Sequence, residues 1–306
     1  MSTTELPILR DESGPTAGVV TLTLTQPGRP VVVMDRAMLR SLDAALDRIE
    51  SGPAPRGFVL ASDSRVFVAG ADLREIVGLS DAELDAYMRE GQRVLGRIAR
   101  LPCTTVAAIN GAALGGGLEL AMQCDRLIAL APTSSDPAKP AKPYPIGLPE
   151  ASLSICPGWG GSNLLPARMN FESAVRMTAK GSPFSVIEAR ESGLIEDLTA
   201  DAASLLTRAK QLAAVPKQRA LSTPHCIGPD RQPAAVCAAS LDALDRLRAG
   251  PGWNDAAKAV FDCVETGLKR GWQAALDAER KHLVRLRNSE AGRAAIRGFL
   301  EKSAAR

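Results

Sequence analysis

Apolar and polar residues alternate along Val20-Thr21-Leu22-Thr23-Leu24-Thr25, the two-residue period of a half-buried strand, which ends at Pro27-Gly28. Asp35 then stands where a cap belongs. Beyond it Leu39, Leu42, Leu46 and Ile49 fall on one helical face, and the run stops before Gly52-Pro53. Phe58-Val59-Leu60 reads as a short buried strand. Ser80 and Glu83 have the spacing of a capping box, opening a helix that carries Leu84, Met88, Leu95 and Ile98 and ends at Pro102. A strand from Thr104 to Ile109, a short helix from Gly117 to Cys124 and a strand from Arg126 to Leu130 follow. Strands alternating with helices predict an α/β architecture.

The pattern breaks twice. Residues 131–149 hold six prolines (Pro132, Pro137, Pro140, Pro143, Pro145, Pro149), which predicts a stiff, exposed loop inserted at the surface. From Ala202 onward the periodicity is helical, interrupted by Pro/Gly-rich stretches at 222–233 and 250–252. The expected division is therefore an α/β core over 1–205, with the proline-rich insertion at 131–149, and a helical C-terminal region over 206–306.

Composition narrows the function classes. The chain has 306 residues, 45% of them hydrophobic and 23% charged, enough to bury a sizeable core and too apolar for global disorder. Lys and Arg number 37 against 34 Asp and Glu, a net charge of +3, which argues against a nucleic-acid partner without repelling an anionic ligand. No apolar run is long enough to span a bilayer, and the start, Met-Ser-Thr-Thr-Glu-Leu-Pro, lacks the basic and apolar regions of a secretory signal. A cytoplasmic location is expected. The six cysteines form no C-x-x-C pair, so buried reduced thiols are expected rather than disulfides. His225 and His282 are the only histidines and neither has zinc-type spacing, so no metal is expected; both read as surface or satisfied residues.

The chemistry concentrates in two glycine turns and two glutamates. Ile109-Asn110-Gly111-Ala112-Ala113-Leu114-Gly115-Gly116-Gly117-Leu118-Glu119-Leu120-Ala121 joins a strand to a helix, so that N–H groups at the helix start can face a ligand closely and favour an oxyanion. Val68-Ala69-Gly70-Ala71-Asp72 is a second small-residue turn able to offer another main-chain donor. Glu119 lies in the first turn of the helix, where an acid is also simply good for the dipole. Glu150 follows Pro149 at the mouth of an apolar segment that ends in Pro157-Gly158-Trp159-Gly160-Gly161. Two carboxylates near one apolar site can divide their roles, one holding a proton while the other stays ionised. Taken singly, each glycine turn is as well explained by tight packing of strand on helix.

In order and context, Phe67-Val68-Ala69-Gly70-Ala71-Asp72-Leu73, then Asn110-Gly111 with Gly115-Gly116-Gly117-Leu118-Glu119-Leu120-Ala121, then Pro149-Glu150 with Pro157 to Gly161, resemble the crotonase superfamily of enoyl-CoA hydratases and isomerases. The middle segment is the most specific of the three. The resemblance implies a crotonase-like spiral of ββα units, a CoA-thioester substrate with no further cofactor, and trimer-based homo-oligomers. It places the oxyanion hole at the amides of Ala71 and Gly116 and the two hydratase glutamates at Glu119 and Glu150. It places CoA contacts along Ala69, Asp72, Leu73 and Arg74, the last standing where the family often has Lys. The activity implied is syn-type addition of water to a 2-enoyl-CoA. Gly193-Leu194-Ile195-Glu196, and the tail from Val264-Glu265-Thr266-Gly267-Leu268 through Glu279-Arg280, resemble the hydratase half of bifunctional fatty-acid-oxidation proteins. In those a hydroxyacyl-CoA dehydrogenase follows, so a separate dehydrogenase chain is an expected partner. The spacing from Glu119 to Glu150 exceeds the family's usual value because the proline-rich loop lies between. A surface insertion is the favoured reading of that loop; displacement of Glu150 is the other.

Two further readings stay open: an isomerase that shuttles a proton with one glutamate, and a catalytically silent CoA-binding or assembly partner. The glycine pattern from Asn110 to Gly117 mimics a dinucleotide site, but it lies mid-chain and neither Tyr87 nor Tyr144 has the accompanying lysine. No G-x-S-x-G occurs, which sets aside a serine hydrolase. Arg280-Lys281 with Arg285 and Arg287 reads as a solvated helix face, Trp159 as packing, and Asp125 as a structural residue at a strand start.

Overall fold

A computed structural model describes residues 4–134, 141–217 and 224–304. Among these residues the strands are β1 (Ile8–Arg10), β2 (Val19–Leu24), β3 (Gly57–Ser62), β4 (Thr104–Ile109), β5 (Ala113–Leu114), β6 (Arg126–Leu130), β7 (Pro145–Gly147), β8 (Phe184–Ser185) and β9 (Asp197–Thr199). The helices of the first two thirds are α1 (Arg36–Ser51), α2 (Leu73–Gly78), α3 (Asp81–Arg100), α4 (Gly116–Ala121), α5 (Gly161–Leu164), α6 (Phe171–Lys180), α7 (Val186–Glu191) and α8 (Ala202–Ala213). The C-terminal helices are α9 (Ala234–Arg248), α10 (Asp255–Arg270), α11 (Trp272–Arg287) and α12 (Glu290–Ala304). The mixed α/β fold and the helical C-terminal region are as expected.

The chain divides into two compact units, each made of three separate segments: Met1–Gly70, Val94–Ile146 and Phe184–Pro224 form the first, and Ala71–Arg93, Gly147–Pro183 and His225–Arg306 the second. The first unit is built on a sheet of order β1-β2-β3-β4-β6-β9. Only the β1–β2 pair is antiparallel; β2, β3, β4, β6 and β9 run parallel to their neighbours. The sequence predicts β2 as half-buried, yet both of its faces are buried. The reason is α8, whose Leu205, Ala209, Leu212 and Ala213 pack on Val19, Val59, Val106, Ala108 and Ile128. A parallel sheet covered by helices loses the polar face that alternation implies. Gly57 on β3 lets α8 come close, since a Cβ there would lie 2.2 Å from the Ala213 carbonyl oxygen.

Asp35 caps α1 by accepting from the Met38 N–H at 2.7 Å. Asp125 holds Thr105 through N–H and Oγ1 at 2.9 and 3.0 Å, the structural role expected of it.

The 131–149 segment departs from expectation at its C-terminal end. Pro145 and Ile146 pair antiparallel with Ser185 and Phe184, and Ile146 and Leu148 are buried. Tyr144 Oη donates to the Leu130 carbonyl at 2.6 Å, so the chain returns to the point where it left the sheet. Proline abundance had masked the short apolar run Ile146-Gly147-Leu148. Residues 135–140 of the expected loop lie outside the described residues.

In the second unit α10 packs on α6, α9 and α11, with Val260, Phe261, Cys263, Val264 and Leu268 buried. Ser80 and Glu83 form the expected reciprocal cap at the start of α3. Trp159 is buried edge-on against Tyr87, ring centroids 5.7 Å apart, which bears out its packing role. Two arginines of α11 do not form the solvated face expected of them. Arg280 is buried and reaches Asp85, Gln92 and Asp277 at 2.7–3.0 Å. Arg287 is buried and donates to the carbonyls of Ile76 at 3.0 Å and Leu79 at 2.6 Å. No described helix is long and apolar enough to cross a membrane.

Candidate active site

In the first unit the two glycine turns are stitched together. Phe67 N–H donates to the Ala112 carbonyl at 3.0 Å, Leu114 N–H returns to the Val68 carbonyl at 3.2 Å, and Val68 bridges Ala113. The chain then turns at Gly115, whose φ of 52° is a left-handed value that glycine adopts without strain. This turn starts α4: the N–H groups of Leu118 and Glu119 fold back onto the Gly115 carbonyl at 2.9 and 3.0 Å. Gly116, the first residue of α4, therefore presents its N–H outward from the helix start, where the helix dipole favours negative charge. Gly117 sits so close to the neighbouring turn that a Cβ would lie 2.4 Å from the Val68 carbonyl oxygen. Glu119 follows in the same first turn and is buried, 2% exposed. Ala69 is exposed, and its N–H is held by the Val32 carbonyl at 2.9 Å, so only its carbonyl remains for a ligand contact.

In the second unit Ala71 opens the segment that leads into α2. Asp72 caps that helix by accepting from the Arg74 N–H at 3.0 Å, a structural duty that accounts for an acid at this position. Leu73 is half-exposed and Arg74 exposed, its guanidinium at the surface where an anionic ligand can reach it. Glu150 begins a 3-10 turn, Glu150–Leu153, immediately after Pro149. The same helix, α12, packs against this turn and against α2, so Glu150 and the α2 segment share one supporting element. Among the described residues neither Ala71 nor Gly116 has its N–H engaged by another group.

Glu150 has an unusual environment. Part of the residue is accessible, but its Oε2 is buried and has no hydrogen-bond partner. Burial pushes the carboxyl well above the ordinary carboxylate range, and the nearby Glu279 carboxylate pushes in the same direction. Sequence reasoning missed Glu279. It lies on α11, fully buried, with Gly160 N–H donating to Oε2 at 2.6 Å and Ser162 N–H donating to Oε1 at 2.9 Å. A signal was there to find: Trp272, Leu276, Glu279, Leu283 and Leu286 recur at helical spacing, so Glu279 is a charge placed in an apolar stripe.

The stitched glycine turns and buried Glu119 of the first unit, and the shielded Glu150 Oε2 of the second, accompany sequence and fold kinship. The sequence model of the enoyl-CoA hydratase/isomerase family matches residues 14–221, and the chain belongs to that family. It is 37% identical over 197 residues to a protein of Bacillus subtilis (strain 168) described as a probable enoyl-CoA hydratase, covering 64% of this chain and 71% of that one. Its fold is shared by human mitochondrial delta3-delta2-enoyl-CoA isomerase, with a TM-score of 0.67 at 24% identity over 99% of both chains. It is shared also by enoyl-CoA hydratase from Bacillus halodurans, with a TM-score of 0.66 at 21% identity over 96% of this chain and all of that one.

Proposed function

We propose that this family member is an enoyl-CoA hydratase, adding water to the double bond of a 2-enoyl-CoA. Glu119 accepts a proton from the water as its oxygen bonds to the β-carbon. The Ala71 and Gly116 N–H groups hold the thioester oxygen while it carries the enolate charge. Glu150 delivers its proton to the α-carbon, and the two carboxyls reset by exchange with solvent. The observation that carries this reading is the buried, unpartnered Oε2 of Glu150, a group suited to hold a proton at neutral pH and give it to carbon. Exposed Arg74 supplies positive charge for the CoA phosphates. A trimer-based homo-oligomer and a separate hydroxyacyl-CoA dehydrogenase partner belong to the same proposal.

The test is loss of the ultraviolet absorbance of crotonyl-CoA and of longer 2-enoyl-CoAs on addition of the protein. Gly116→Pro, which removes one of the two donors, should lower turnover about 10²–10³-fold. An inert wild-type protein on every chain length would overturn the hydratase reading. Double-bond migration in 3-enoyl-CoA without hydration would assign the chain to isomerase chemistry.

A further inference from the structure

Glu279 is a buried carboxylate that the hydration mechanism leaves unused. It is fully buried, and each of its oxygens accepts one main-chain N–H, Oε1 from Ser162 and Oε2 from Gly160. Its helix is tied to the same stretch of chain a third time, since Cys156 Sγ donates to the Glu279 carbonyl at 3.7 Å. That stretch begins at Glu150: the Ile155 N–H donates to the Glu150 carbonyl at 3.2 Å, and Cys156 follows directly. Glu150 thus heads a segment fastened to α11 at Cys156, Gly160 and Ser162.

The hydrogen bonding of the two carboxyls differs: both Glu279 oxygens accept a main-chain N–H, whereas Glu150 Oε2 accepts none. Two N–H donors stabilise a carboxylate and have nothing to offer a carboxylic acid proton. A buried oxygen without a donor costs far less on a neutral carboxyl than on an ionised one. The titratable groups facing Glu279 are Glu150, and the thiols of Cys156 on its own segment and Cys263 on α10. Arg280, next on the helix, is turned to Asp85, Gln92 and Asp277, and Glu290, Arg293 and Arg297 of α12 are exposed. On α6, which packs on the turn that Glu150 begins, Arg176 and Lys180 are exposed and Glu172 pairs with Arg246 at 3.1 Å.

We infer that Glu279 is a positioning residue for Glu150, fixing the segment that carries it and, as the ionised member of the pair, leaving the proton on Glu150. The inference rests on the hydratase reading for its catalytic meaning, while its physical content is a proton assignment that stands apart from turnover. Burial raises the proton affinity of both groups; at Glu279 the Gly160 and Ser162 donors oppose that rise, while at Glu150 its own N–H opposes it and the Glu279 charge adds to it.

Difference infrared spectroscopy of the protonated carboxyl band tests this on the full chain. At neutral pH the wild-type protein should show a buried protonated carboxyl that is missing in Glu150→Gln. In Glu279→Gln the titration of that band should fall by roughly one pH unit or more, because a like charge has been removed. Glu279→Asp keeps the charge and should leave the titration near the wild-type position. If the protein hydrates enoyl-CoA, the alkaline limb of its kcat profile should move with the band. A band that persists in Glu150→Gln puts the proton on Glu279 and overturns the inference. A titration unmoved in Glu279→Gln, or moved equally in Glu279→Asp, overturns it as well. Should Glu279→Gln fail to fold, the comparison of wild type with Glu150→Gln still decides where the proton lies. A protein without hydratase activity leaves the infrared result standing and sinks only the catalytic role.

Discussion

Glu119 and Glu150 are both shielded acids, but they sit in different surroundings: one in the first turn of a helix, the other with an unpartnered oxygen beside Glu279. In the proposed mechanism the first must be ionised and the second protonated. Each replacement, Glu119→Gln or Glu150→Gln, should therefore lower kcat by roughly 10²–10⁴-fold while thioester binding persists, as steady-state kinetics and calorimetric titration with product will show. The sign of the pH dependence follows. Glu150 acts only while protonated, and its proton affinity is raised by burial and by Glu279. Turnover should hold through neutral pH and fall as pH rises past that raised value; a fall already complete in the ordinary carboxylate range contradicts the assignment. The sequence singles out both glutamates because each follows a glycine or proline motif. Glu279, Arg280 and Arg287 were not, since a charge run on a helix carries no mark of its partners. Their partners are the N–H groups of Gly160 and Ser162, the carbonyls of Ile76 and Leu79, and Asp85, all distant in sequence.

At the level of elements, periodicity located α1, α3, β4 and β6 within a residue or two, because each carries its own caps and turn residues. It failed where tertiary packing decides the outcome. The second buried face of β2 exists only because α8, far along the chain, covers it. β7 hid among prolines because its antiparallel pairing with β8 is a long-range event. The Tyr144–Leu130 hydrogen bond closes the base of the proline-rich segment, and loop-closure entropy changes slowly with length. Shortening Ser134 to Lys142 with a brief Gly/Ser linker should leave the melting temperature and turnover of short enoyl-CoAs nearly unchanged. A selective loss on long-chain substrates would show instead that this segment meets the acyl tail.

For the molecule as a whole, the Glu150–Glu279 pair couples stability to pH. Both groups bind their protons more tightly in the folded chain than in the unfolded one, since burial is the leading cause of each shift. Their contribution to stability is therefore complete below the ordinary carboxylate range and is lost as pH rises through the raised values. Glu150→Gln removes one titrating group, so its melting temperature should decline less than that of wild type between mildly acidic and alkaline buffers. Equal slopes in differential scanning calorimetry would count against the pair. The interleaved segments of the two units also impose an order in time. The last segment of the first unit ends at Pro224, whereas the second unit lacks α9 to α12 until residues 225–306 have been made. A nascent chain emerging from the ribosome already holds Glu119 and Glu150, yet it has no Glu279 to fasten the acid's segment. Under the proposed mechanism, competence therefore waits for α11, which is made after every other part of the candidate site.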